Sequence, residues 1–508
     1  MTEPTPVTSI DAEPANIVDH LGGERVAVSD TLRRQLGDAC AEVTDGDADR
    51  AEAGRDWWPL AIGWAMAGEV PARPAAVARP TDTDQVAAVL SLCNDARVPV
   101  TPAGGRSGVC GASIPVFGGV ALDLCRLSGI GEVDPDSLVA DLRAGTFGPD
   151  VEAGLRGDHG VTLGHWPQSM DLSTVGGWLA CRGAGQYSNR YGKIEDMVIG
   201  LEVVLADGRV VRTGGHGPRS ATGPDLTQIF VGSEGTLGVI TEGRFRVHPV
   251  PDGEDRRAFG FASFAAGLDA CRRILRRGAT PAVLRLYDGT ESGRSFDHPD
   301  TNVLIVLDEA DPGLVAATLG VVDEECAPAD RLDVGLVERW LGHRNDVSAL
   351  APLWRSGIVV DTVEVSARWG ALPGLYRSVL DALGRVEGTL AASSHQSHAY
   401  ADGACLYFTF AGRPPSSDDS DAGDGPIGTW IDRYYRQAWD EVTRATIEAG
   451  GAISHHHGIG INRSRFLRKA LGPGFDVLAA IKLALDPNGI LNPGKLGLDS
   501  PYGQAPWP

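Results

Sequence analysis

Apolar positions recur at helical spacing from Ser29 to Val43, and again after Thr81-Asp82-Thr83-Asp84, where Val86, Val89, Leu90 and Cys93 share one side of a helix opened by capping-type residues. This second helix leads into a short strand, Val98-Pro99-Val100-Thr101, then a glycine-rich loop and the strand Val120-Ala121-Leu122-Asp123-Leu124. From Val198 to Arg212 two β-rich runs flank Ala206-Asp207-Gly208, a hairpin signal. Beyond about Pro251 a helical pattern over Phe264 to Arg277 and an apolar run from Asn302 to Leu307 predict a second sheet covered by helices. The expected class is α+β. Its divisions are a disordered stretch at 1–15, a helical segment at 16–69, a first domain at 70–250, a cap at 251–450 and a segment at 451–508 that returns to the first domain. Residues 416–425 predict a solvated acidic loop.

A chain of 508 residues is long enough for two or three domains. Its net charge of -22 disfavours nucleic acid or an anionic membrane surface as the partner of a broad basic face. No apolar stretch reaches the roughly 18 to 20 residues that span a bilayer, and Met1 to Asn16 does not resemble a secretory leader, so a cytoplasmic address is expected. Eight cysteines without a C-x-x-C pair predict reduced thiols and no zinc ribbon. A homodimer and peripheral membrane contact stay open.

Three glycine-rich clusters carry candidate chemistry. In Pro102-Ala103-Gly104-Gly105-Arg106-Ser107-Gly108 the glycines let amides approach an anion, which suits a pyrophosphate. The second cluster supplies Pro167, Ser169, Met170, Ser173, Thr174, Gly176 and Gly177, with His165 just before it. The third supplies Ser233, Glu234, Gly235, Thr236, Gly238, Val239 and Ile240. Neither a Walker loop nor a clean G-x-G-x-x-G fingerprint is present. Ser454-His455-His456-His457-Gly458 offers three adjacent imidazoles. Neighbours in an extended chain face opposite ways, which disfavours a metal held by all three, so no metal is assigned.

As an ordered set, Pro-x-Gly-Gly-x-Ser-Gly, Ser-Thr-x-Gly-Gly-Trp, Gly-Ser-Glu-Gly-Thr-Leu-Gly-Val-Ile-Thr and Asp-Pro-Asn-Gly-Ile-x-Asn-Pro-Gly-Lys resemble the vanillyl-alcohol oxidase type of FAD enzyme, with its two-subdomain PCMH-type FAD-binding domain and a cap. Leu163-Gly164-His165, Asn189-Arg190-Tyr191-Gly192, Leu284-Arg285-Leu286-Tyr287-Asp288, Gly403-Ala404-Cys405-Leu406-Tyr407-Phe408 and the histidine triplet are most similar to the alkyldihydroxyacetonephosphate (alkylglycerone-phosphate) synthases.

That resemblance implies non-covalent FAD in the three turns, with Asn492 of the return segment beside it. It implies exchange of the acyl group of an acyl-dihydroxyacetone phosphate for a fatty alcohol at the flavin N5. Tyr407 would be the acid/base, His456 and His457 would orient it or polarise the substrate, His455 and His165 would lie near the flavin with them, and Arg285 would help bind the substrate or support the pocket. The synthases' Arg-Asp segment is shortened here, which leaves Arg344 or Arg355 to meet a phosphate. Tyrosine titrates near 10 unperturbed, so its neighbours must assist it. The alternative within the superfamily is oxidation of a 2-hydroxy acid or alcohol. Those enzymes often carry Glu-His-Gly and a Gly-Asp-Gly-Asn-x-His metal strand, where this chain has His456-His457-Gly458 and Ala401-Asp402-Gly403-Ala404-Cys405-Leu406. The third alternative is a flavin-fold protein that binds ligand without turnover.

Overall fold

The computed structural model describes residues 3–347, 349–414 and 429–507, so the acidic loop expected at 416–425 lies outside the described residues. The first unit is built on a four-stranded sheet in the order Val43–Thr44, Ala76–Ala78, Val120–Asp123, Val100–Ala103; the last three strands run parallel. Helix Thr83–Ala96 makes the crossover. Asp82 caps its start by accepting from the Gln85 amide at 2.8 Å, and Val86, Val89, Leu90 and Cys93 are the positions it buries. The earlier helix is shorter than the apolar spacing suggests, Asp30–Ala39, because Val43 leaves it to pair with Ala78.

A second subdomain holds five antiparallel strands, in the order Val210–Gly214, Val198–Val204, Val239–Arg246, Val139–Arg143, Ile130–Asp134. Its first two strands are the hairpin around Asp207-Gly208, where Gly208 takes φ 84°.

The cap is an antiparallel sheet of seven strands: Asp330–Arg331, Gly253–Phe261, Asn302–Ala310, Val283–Tyr287, Thr389–Ala399, Gly403–Gly412 and Val359–Arg368. Side chains alternate across it. Leu284, Leu286, Leu406, Phe408, Val363 and Val365 pack against helices Phe264–Arg276, Leu372–Arg385 and Trp430–Glu448. The alternate positions face the first unit.

The chain then comes back. The Val100 amide donates to the Ile490 carbonyl and the Asn492 amide to the Val100 carbonyl, both at 2.8 Å, while buried Lys495 donates to the Ile114 carbonyl at 2.7 Å. Residues 5–8, expected to be disordered, lie along the first unit, where the carbonyls of Thr5 and Thr8 accept from Trp57 and Arg55. No helix among the described residues is long and apolar enough to cross a membrane.

Candidate active site

Between the cap sheet and the first unit lies a cavity of about 680 Å³. Its first half is made by the glycine-rich turns. Pro102 to Gly108, Pro167, Ser169, Ser173, Thr174, Gly176, Gly177, Glu234, Gly235, Gly238, Val239 and Ile240 all line it. Gly104 and Gly105 are needed for close approach of two loops: a Cβ would stand 2.1 Å from Thr174 Oγ1 at the first and 2.0 Å from the Leu172 carbonyl at the second. The hydroxyl of Thr174 and two nitrogens of Arg106 are buried on this wall without a protein partner, as is nearby Ser233 Oγ. Buried polar atoms of this kind are normally satisfied, so the donors, the glycines and the shape fit a dinucleotide cofactor.

Met170, Ser233, Thr236 and Asn492 stand behind this wall. Thr236 donates to the Ser233 carbonyl, and Asn492 donates to the carbonyls of Glu234 and Ala112, so these two residues hold the loops rather than line the cavity. Glu234, in the left-handed region at φ 49°, uses its carboxylate to accept from the amides of Ile459 and Gly460 at 2.5 and 2.9 Å. The third turn therefore grips the histidine segment.

The chemical half is a row across the cap sheet. Tyr287 lies opposite His395, His395 opposite Tyr407, and Tyr407 opposite Glu364, on four adjacent strands. Direct partners share a face, so the strand register delivers all four side chains to one side. Tyr407 Oη is 2.7 Å from His457 Nε2, and His457 Nδ1 is 3.5 Å from Glu364 Oε1. Glu364 is fully buried. It accepts from the amides of His455 and His457, from Ser454 Oγ and from buried Arg463, the last at 3.0 Å. Burial alone would raise the Glu364 pKa, but Arg463 and the histidines hold it well below the usual carboxylate range. Burial lowers His455 and His456 to about 3 and His457 to about 4, so the rings are neutral at pH 7. Burial and the Glu364 charge push the Tyr407 hydroxyl far above its ordinary value, so it is protonated. The arrangement is a relay: Tyr407 donates to a neutral imidazole whose far nitrogen faces a carboxylate.

Further along the row, His395 Nδ1 is 2.7 Å from Glu291 and its Nε2 is 2.8 Å from Arg285. Arg344 also lines the cavity, its guanidinium boxed by Trp166, Tyr187 and Trp340 at 5.0 to 5.7 Å. Two expected residues are placed elsewhere. Arg355 is exposed at the end of helix Leu350–Arg355 and donates to Thr8 Oγ1. His165 is fully buried against Trp178, outside the cavity lining, and burial lowers it to about 3. His456 and His457 reach the cavity wall, while His455 sits behind them with its Nδ1 2.9 Å from that of His456. His398, Cys405, His455 and His456 bring ligand-type atoms within 4.8 Å of one another, a juxtaposition that triplet geometry alone did not reveal.

Sequence reasoning missed Glu364, Arg463, Glu291 and His395. The available signal was acidic residues inside an apolar β-run, Val359-Val360-Asp361-Thr362-Val363-Glu364-Val365.

Fold and cavity define a flavoprotein of two parts, a cofactor cradle closed by a cap that presents Tyr407 to it, beside His457 and Glu364. The chain belongs to the FAD-linked oxidoreductases: residues 74–214 match the FAD binding domain and residues 254–496 the FAD linked oxidases, C-terminal domain. It is 32% identical over 440 residues to the uncharacterized FAD-linked oxidoreductase YgcU of Escherichia coli (strain K12), covering 83% of this chain and 89% of that protein. It is 30% identical to glycolate oxidase subunit GlcD of Bacillus subtilis (strain 168), over 88% of this chain and 93% of that one. Identity to the alkyldihydroxyacetonephosphate synthase of Dictyostelium discoideum is 28%, over 84% and 74%. Among solved structures, an alkyldihydroxyacetonephosphate synthase superposes with a TM-score of 0.76 at 24% identity, over 97% of this chain and 89% of that chain. p-Cresol methylhydroxylase gives 0.73 at 18%, over 94% and 99%, which likewise shows the fold. FAD is the cofactor.

Proposed function

We propose that this enzyme exchanges the acyl group of an acyl-dihydroxyacetone phosphate for a fatty alcohol. The observation that carries the reading is the Tyr407 hydroxyl 2.7 Å from a neutral His457 backed by buried Glu364. Such a relay takes and returns one proton near neutral pH without a tyrosine pKa near 7, because the imidazolium formed stands beside a fixed carboxylate. In the exchange, the bond from C1 to the acyl oxygen breaks and a bond from C1 to the alcohol oxygen forms. The relay takes the C1 proton and returns it to C1, the carboxylate leaves with its electron pair, and the proton lost by the alcohol is released with the carboxylate. Arg285 and Arg344 hold the phosphate, and the aromatic walls exclude water. Bound FAD supplies an electrophilic N5 that accepts either a carbon nucleophile or a hydride. Three turns, centred on Gly104, Thr174 and Gly235, hold it.

Oxidation of a 2-hydroxy acid is the second reading, favoured by the 30% identity to a glycolate oxidase subunit over nearly the whole chain. There the same relay takes the hydroxyl proton. An anaerobic visible spectrum separates the two. Bleaching by acyl-dihydroxyacetone phosphate that a fatty alcohol reverses, with ether product formed, supports exchange. Bleaching by a 2-hydroxy acid alone, reversed only by an electron acceptor, rejects it.

A further inference from the structure

A guanidinium has five donors and no acceptor. The 2.8 Å contact from Arg285 Nη2 therefore requires His395 Nε2 to accept, which places the ring hydrogen on Nδ1, where it donates to Glu291 Oε2 at 2.7 Å. The carboxylate is itself fixed: Oε1 accepts from Ser393 Oγ at 3.1 Å and Thr409 Oγ1 at 2.9 Å, faces Arg294 at 3.2 Å, and the side chain is 2% exposed. The His395 ring is stacked between Tyr287 and Tyr407, at 5.1 and 5.0 Å. Tyr287 Oη accepts from Arg285 Nε at 3.1 Å. Among the described residues no carboxylate pairs with Arg285, and none with Arg344, whose Nη1 is buried without a partner. Both guanidiniums meet the Trp340 ring, at 5.4 and 5.7 Å. In a chain of net charge -22, two cations spared a carboxylate and aimed at one cavity are placed for a ligand with two negative charges.

We propose that Glu291 and His395 are positioning residues that fix Arg285 as the anchor of a dianionic group, with Arg344 as its second contact. Glu291 sets the tautomer, the tautomer gives Arg285 an acceptor instead of a competing charge, and Nη1 is left to the ligand. This rests on the reading of Arg285 as a substrate contact.

The test is calorimetric titration of the FAD-loaded protein with sodium sulfate, a dianion at every working pH, with acetate as the monoanion control. His395→Phe keeps a stacking ring and removes the acceptor, so sulfate affinity should fall about tenfold or more, the scale of a lost charge-assisted contact. Glu291→Leu should behave alike, whereas Glu291→Gln, whose amide oxygen still accepts from Nδ1, should stay within about threefold of wild type. An unchanged visible flavin spectrum shows that the fold persists. Should His395→Phe lose FAD, the Glu291→Leu and Glu291→Gln pair reads the same contact. Sulfate that fails to bind wild type, or binds all variants alike, overturns the proposal, and acetate binding as tightly as sulfate overturns the dianion. Failure of the ether-forming assay with this pattern intact rejects the reaction and leaves the anchor standing.

Discussion

At the scale of single residues, the proposed proton transfer divides between Tyr407 and His457. The hydroxyl reaches the cavity but is held protonated, while the imidazole is neutral and accepts from it. Tyr407→Phe should therefore retain FAD and the fold while kcat falls by about 10²- to 10⁴-fold, the usual worth of a positioned proton-transfer group; steady-state turnover beside the visible spectrum checks this. A variant with unchanged turnover would remove Tyr407 from the chemistry. The pH dependence has a definite sign. Burial depresses His457 to about 4, and only the neutral ring can accept, so kcat/KM should stay flat from pH 8 to about 5 and fall as the pH approaches 4. Glu364 partly offsets that depression, so Glu364→Gln should move the acid limb lower still.

At the scale of elements, the decisive one is the strand Val359–Arg368, paired in register with Gly403–Gly412 so that Glu364 opposes Tyr407. Glu364→Gln leaves the Arg463 charge buried without its counter-charge. Breaking a buried pair in this way costs about 3 to 5 kcal/mol, and a lowered midpoint of denaturant unfolding with unchanged slope is the expected record. This strand also marks where the sequence stops being legible. The helix Thr83–Ala96 and the hairpin at Asp207-Gly208 are visible because cap, period and turn residue are local. The glycine turns are visible because few structures need Gly104 next to Gly105. Glu364 looks like any acid on a half-exposed strand, since its burial depends on Arg463, 99 residues away. His395 on the strand Thr389–Ala399 and Glu291 on the helix Gly289–Phe296, 104 positions apart, meet only because that helix packs against the strand. Arg355 shows the converse: the right residue type, near the right strand, but on the outer end of its helix.

At the scale of the whole molecule, cofactor binding and stability are one equilibrium. FAD at 100 times its dissociation constant adds about 2.7 kcal/mol to the folded state. Removing it should lower the melting temperature by several degrees, and readdition should restore it, as differential scanning calorimetry would record. Two buried carboxylates, Glu234 from the first unit and Glu364 from the cap, grip backbone amides between His455 and Gly460. Behind them, Asn492 and Lys495 tie the same return segment to the loop after Gly108. The linear map of the gene is therefore a poor guide to the phenotype of its alleles: a lesion near codon 492, far from every reacting group, would present as a flavin-deficient enzyme and be sorted with lesions near codon 105.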